Sequence, residues 1–192
     1  MLKNNSPATR PLQAARPLLA TLCAFTLTLT AAPRSHAQSG PLEELSAFPR
    51  TTVEVLNGKS MKGAHRFDVW IANNPARQDQ GFMFVQDVPV GQGMLFPVPK
   101  PRKVNMWMKD TYVELDILFI GEKGAVEQII EHAKPLDLTK LISSKPVTAV
   151  LEIKGGQVAS LGLKVGDRLN WEPPDGCDCS PPPPPKPAKD SH

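Results

Sequence analysis

Trp107, Lys109, Asp110, Thr111 and Asp116 put an indole, an ammonium, two carboxylates and a hydroxyl into one short stretch flanked by apolar runs. Such a set suits a ligand pocket. Trp107 is the aromatic platform, Lys109 and Asp116 orient a polar ligand, and Asp110 and Thr111 shape the turn between them. The same residues could also do acid–base work in a small hydrolase. Asp116 would then be the general base, and Lys109 would stabilise developing negative charge. That reading lacks a nucleophile, because neither His65 nor His132 stands in an activating spacing with a serine or cysteine. The third reading is architectural. An unpaired buried charge is costly, so Lys109 and Asp116 form an ion pair at the rim of the core.

Metal chemistry has candidates too. Met83, Met94, Met106 and Met108, with His65 and His132, are soft ligands suited to copper. Met106 and Met108, however, share an apolar strand face, where methionine is ordinarily a filler. Cys177 and Cys179, in Gly-Cys-Asp-Cys-Ser, have no further cysteine or nearby histidine to complete the usual four ligands. The expectation is therefore no metal and no cofactor, with the two cysteines as free thiols or one labile bridge. Glu152 and Asp167 read as a strand-surface charge and a turn residue.

The elements that must position these residues follow from period and punctuation. Val104, Met106 and Met108 alternate with Asn105, Trp107 and Lys109, and Leu115, Ile117 and Phe119 alternate with Asp116, Leu118 and Ile120. Asp116 thus shares a face with two large apolar residues. Upstream, Thr51 to Leu56 and Arg66 to Ala72 are strands rich in β-branched and aromatic residues, with a turn at Asn57-Gly58 between them. Asn73-Asn74-Pro75 starts a helix that runs to Gln80 and stops at Gly81. Gly93 to Phe96 is a short strand, and Pro97, Pro99 and Pro101 force an irregular connection after it. Downstream, Gly121 to Gly124 turns the chain into a return strand, Ala125 to Glu131. Pro135 to Lys145 is a polar connection. Thr148 to Lys154 is a strand, Val158 to Leu163 suits one or two helical turns, and Arg168 to Trp171 closes the domain. Short strands, tight turns and brief helices make this a mainly β fold, a compact barrel or sandwich of residues 51–171.

The ends differ from the middle. Lys3, Arg10 and Arg16 precede the apolar run Leu18 to Thr30, and Ser35-His36-Ala37 supplies a small-x-small site, so residues 1–37 are expected to be a cleaved signal peptide. Residues 38–50 read as a linker. Residues 172–192 hold eight of the 21 prolines and read as a disordered tail. Residues 1–37 carry four basic residues and no acids, so their removal leaves 18 basic against 19 acidic residues, a net charge of −1. That balance gives no electrostatic case for nucleic acid. No later stretch is apolar enough to span a membrane, which needs about 20 residues.

The order of motifs resembles a known family. Gly81-Phe82-Met83-Phe84, Gly93-Met94-Leu95-Phe96, Trp107-Met108-Lys109-Asp110-Thr111, Leu115-Asp116-Ile117, Val150-Leu151-Glu152-Ile153 with Gly155-Gly156, and Val165-Gly166-Asp167 follow one another as in the prokaryotic domain of unknown function number 192. The resemblance covers about Val53 to Leu169. It implies a compact β-rich domain, often exported, and no established reaction. Three places depart from the family pattern. Gln78 stands where an arginine is frequent, with Arg77 adjacent; Asp110 replaces the usual asparagine; Glu114 replaces a common proline. The function expected from these readings is a non-catalytic binding or accessory module for an envelope ligand or small molecule, periplasmic or extracellular. The alternatives are a hydrolase built on Asp116 and a soft-metal protein.

Overall fold

The structure is a computed structural model that describes residues 40–41, 43–57, 64–177 and 179. The signal segment, Gly58 of the Asn-Gly turn and the run Pro181 to Pro185 lie outside these residues.

Among the described residues the chain forms nine strands and two short α-helices, most of them where the punctuation predicts: β1 (Arg50–Leu56), β2 (Ala64–Ile71), α1 (Pro75–Gln80), β3 (Gln92–Arg102), β4 (Asn105–Met106), β5 (Leu115–Ile120), β6 (Val126–Ala133), β7 (Leu141–Ile142), β8 (Val147–Lys154), α2 (Gln157–Leu161) and β9 (Arg168–Trp171). Seven of them form one mixed sheet in the order β6-β5-β8-β3-β2-β1-β9, while β4 and β7 pair separately. β2 and β3 are parallel, joined through α1; the other neighbours run antiparallel. The sheet curls until Ala125 bridges Arg168 and the Val126 N–H donates to Asp167 O at 2.8 Å. It does not close along its length, so the fold is sandwich-like rather than a barrel.

Strand alternation divides the interior into two cores, one on each face. Phe67, Val69 and Ile71 of β2, Leu118 and Ile120 of β5, and Leu151 and Ile153 of β8 fill the inner core, with α2 and Trp171. Met94 and Phe96 of β3, Leu115, Ile117 and Phe119 of β5, and Val150 of β8 fill the outer core, which Phe48, Phe82 and Met108 cover. The central strands β5 and β8 are therefore buried on both faces.

Several elements differ from expectation, each for a local reason. β3 runs on through Pro97, Pro99 and Pro101, because its register against β8 shifts between Pro97 and Arg102, where missing N–H groups are tolerated. β4 is only Asn105–Met106, yet Val104 and Met108 are buried and Asn105, Trp107 and Lys109 exposed, as the alternation required. The Pro135 to Lys145 connection contains β7. Residues 43–50, read as linker, pack onto the domain. Phe48 is buried in the outer core, and the Arg77 guanidinium donates to Glu43 Oε2 at 2.9 Å and to Ala47 O at 2.9 Å. Glu172, read as the start of the tail, is tied to β1. Thr51 Oγ1 donates to Glu172 O at 2.7 Å, and Cys177 and Cys179 are joined in a disulfide whose Cys179 lies in the inner core at 0 % exposure. Among the described residues no helix is long and apolar enough to cross a membrane.

Candidate functional site

Asp116 does not meet Lys109. It lies on the inner face of β5, fully buried, and its oxygens accept two main-chain N–H groups: His132 N to Oδ1 at 2.9 Å and Val158 N to Oδ2 at 2.8 Å. Both donors are orphans of the fold. β6 carries one extra residue against β5, since Leu115 faces Ala133 while Ile117 faces Ile130, and His132 takes the left-handed φ of 54° at that bulge. Val158 is the second residue of α2, whose own N-cap is Gly156 and offers no side chain. Asp116 satisfies both. Lys109 lies on the opposite side of the sheet, exposed, its Nζ 5.8 Å from the centroid of the Trp107 ring. The expected Lys109–Asp116 pair is replaced by a carboxylate–main-chain clamp that engages both Asp116 oxygens.

The opposite face holds a different acid. Glu152 sits in the middle of β8 between β3 and β5, opposite Met94 and Ile117. It is 3 % exposed, and among the described residues its side chain has no hydrogen-bond or ion-pair partner. Burial pushes its carboxyl up to about 8. What stands over it is a cavity of about 130 Å³, lined by Gln78, Asp79, Gln80, Gly81, Phe82, Met83, Phe96, Asn105, Met106, Trp107, Thr111 and Glu152. The strand-surface charge read from sequence is thus the floor of a pocket. Interior strands lose the distinction between exposed and buried faces, and only the sheet order made β8 interior.

Two walls flank Glu152, and both are pinned by main-chain bonds. The first is α1 and the turn after it. Asn74 caps α1 by accepting the Arg77 N–H at 2.9 Å, and Gly81 ends it at φ +50°, where a Cβ would stand 3.4 Å from the Phe96 ring. The Gln80 amide is held by Glu43, donating to its carbonyl at 2.6 Å and accepting its N–H at 2.8 Å. The Gln78 side chain donates to Pro97 O at 2.9 Å. The second wall is the loop from Asn105 to Thr111. Thr111 is buried and donates to Lys109 O at 3.2 Å, while Trp107 stands at the mouth, 46 % exposed. The walls join where the Phe84 N–H donates to Asp110 O at 2.7 Å. Phe84 and Asp110 both have positive φ, 65° and 51°. That conformation is uncommon for an aromatic residue and persists where surrounding structure imposes it.

Of the five residues expected at the site, Trp107 and Thr111 line this cavity. Asp110 serves the wall through its backbone, Lys109 lines the adjoining outer depression with Trp107, Met83 and Phe84, and Asp116 is on the other face. Of the soft-ligand set, Met83 and Met106 line the cavity, whereas Met94 and Met108 are buried in the outer core. His65 is near Asn57, and His132 Nδ1 lies 2.7 Å from Glu114 Oε1, both apart from those methionines. Among the described residues no three His, Cys, Asp or Glu side chains gather as a metal set. Asp167 is a turn residue, buried, accepting the Lys164 N–H at 2.9 Å.

A family model, DUF192, described as an uncharacterised ACR, matches residues 57–171. The chain belongs to the DUF192 family. Two solved structures resemble it over nearly their whole length. One, from Sinorhizobium meliloti 1021, is labelled provisionally as a transcription regulator; it is 36 % identical, with a TM-score of 0.62 over 65 % of this chain and 95 % of that one. The other, a protein of unknown function from Novosphingobium aromaticivorans DSM 12444, is 37 % identical, with a TM-score of 0.63 over 67 % of this chain and 90 % of that one. No curated protein matches. The motifs that carry the DUF192 resemblance converge on the cavity: Gly81, Phe82 and Met83 from one, Phe96 from another, Trp107 and Thr111 from a third, and Glu152 from a fourth. The departures sort themselves spatially. Gln78 lines the cavity, while the adjacent Arg77 turns to Glu43 and Asn73 and does not replace the missing arginine. Asp110 keeps the left-handed backbone that Asn and Asp both tolerate. Glu114 lies outside the cavity, beside His132 and Gly155.

Proposed function

We propose that this DUF192 chain is a non-catalytic binding or accessory module, exported by residues 1–37 and working in the periplasm or outside the cell, whose small-molecule ligand sits over Glu152. One observation carries the reading. A carboxyl buried to 3 % exposure, with no partner among the described residues, forms the floor of a cavity. Unpartnered buried polar groups destabilise a fold, so their retention in a cleft marks a site that a ligand completes. Binding is favoured over catalysis because the cavity lining includes no histidine, cysteine, lysine or arginine beside Glu152, Asp79 and the Thr111 hydroxyl to activate a nucleophile.

The test is a fragment screen read by NMR, with the side-chain carboxyl carbon of Glu152 and the Trp107 indole N–H as reporters. A bound fragment is expected to move both signals, and the movement of the Trp107 signal to vanish in Glu152→Gln. Signals that stay fixed through the whole screen would overturn the reading. Export is checked separately by the mass of the native protein, expected to begin at Gln38; an intact Met1 in soluble cytoplasmic protein contradicts it.

A further inference from the structure

The geometry points to a small alkylammonium ion as the ligand class of this cavity, its charged end against Glu152 and its alkyl end against Met83, Phe96 and Met106. The inference rests on the binding reading above and specifies what binds. Charge sets the sign. The cavity lining includes two acids, Asp79 and Glu152, and no basic side chain. The cations nearby are committed elsewhere or lie outside: Arg77 pairs with Glu43, Lys154 of β8 pairs with Asp87 at 2.8 Å, and Arg102 and Lys109 line the two adjoining depressions. From β3 and β5, Glu152 faces only Met94 and Ile117, neither of which donates a hydrogen bond. Asp116 is on the far side of the sheet, held by main-chain N–H groups.

An ammonium group brings the donors and the positive charge that the carboxyl lacks. Thioether side chains adapt to irregular alkyl shapes, and the Trp107 face at the mouth favours a cation over an anion. Size sets the limit. At about 130 Å³ the cavity is slightly smaller than the roughly 150 Å³ engineered cavity that holds benzene, so the ligand head has about six non-hydrogen atoms.

The test titrates the full mature protein with three isosteric probes: isobutylammonium, isobutanol and isobutyrate. The cation is expected to bind at least about tenfold tighter than the alcohol, and isobutyrate not at all. Because burial holds the Glu152 proton up to about pH 8, affinity for the cation is expected to rise about tenfold from pH 7 to pH 9, where an alkyl amine is still charged. Glu152→Gln keeps the shape and is expected to remove both the preference and the pH dependence. Equal binding of cation and alcohol, or tighter binding of isobutyrate with affinity falling as pH rises, overturns the ligand class and leaves the pocket standing. Silver(I) held by Met83 and Met106 with no amine binding overturns it in favour of a soft metal. If none of the probes binds and no fragment moves the Glu152 signal, the binding reading fails with it.

Discussion

Asp116 and Glu152 stand on adjacent strands, one register step apart, and point to opposite faces of the same sheet: Asp116 pairs with Ile153, and Ile117 pairs with Glu152. Both are buried, yet their environments are inverse. Asp116 receives two main-chain donors, whereas Glu152 receives none among the described residues and opens into a cavity. One carboxylate holds the fold together, and the other is left for a ligand.

The Asp116 clamp predicts a large stability loss without coupling to Lys109. Asp116→Ala strands the His132 and Val158 N–H groups and is expected to cost about 3 kcal/mol, a typical sum for two buried donors left unsatisfied. Lys109→Met alone should change stability by less than about 0.5 kcal/mol, as exposed substitutions usually do. The double mutant should be additive within about 0.5 kcal/mol. Urea melts of the three variants check this; recovery of stability in the double mutant would show that the two residues interact after all.

Glu152 predicts a stability that falls as pH rises. Its carboxyl ionises at about 8 in the folded protein against an ordinary 4.5. Below about pH 4.5 both states are protonated and the residue contributes no pH slope. Between about 4.5 and 8 the unfolded chain releases the proton first, so the folded state binds more protons and unfolding becomes easier with rising pH. The contribution levels off above about 8, at up to about 5 kcal/mol if the whole shift acts. Thermal melts from pH 4.5 to 9 should show this slope in the wild type and lose it in Glu152→Gln, which should be the more stable protein at pH 9. A variant no more stable than wild type at pH 9 contradicts the unpartnered burial of Glu152.

Trp107 predicts the opposite division. Being 46 % exposed at the cavity mouth, it should tolerate Trp107→Ala with a stability change below about 1 kcal/mol. Cation affinity should nevertheless fall several-fold, since a cation over an indole face is worth on the order of 0.5–1 kcal/mol at an exposed site. Isothermal titration with isobutylammonium, beside a melt, separates the two effects.

The segment after Trp171 is structural where it is described. Cys179 at 0 % exposure belongs to the inner core. Deleting residues 172–192 is therefore expected to lower the melting temperature by more than about 5 °C, which for a domain of this size is on the order of 1 kcal/mol. A midpoint unchanged by the deletion would mean that Cys179 adds nothing to the core.

The sequence by itself determined most of the strands, the helix α1 and the side on which most residues fall. Period-two alternation assigns Phe67, Val69 and Ile71 to one face and Leu115, Ile117 and Phe119 to another, because side-chain direction in a strand is fixed by parity alone. Asn74, Pro75 and Gly81 bound α1 because capping is a local property. The family resemblance was legible for the same reason, as an order of short local motifs. Tertiary structure decided what those faces meet. Glu152 is flanked on its own face by Thr148, Val150 and Lys154, a pattern that locally reads as a solvated strand surface; the sheet order β5-β8-β3 and the covering α1 turn that face into the floor of a cavity. Asp116 carried one local hint, the glycine pair Gly155-Gly156 that leaves α2 without a side-chain cap. Its donors nevertheless lie 16 and 42 residues away in sequence, and no pairing at that separation is written in local pattern. Lys109 was its nearest basic neighbour along the chain, but sequence distance does not say which side of a sheet a loop crosses, and the loop crosses on the other side.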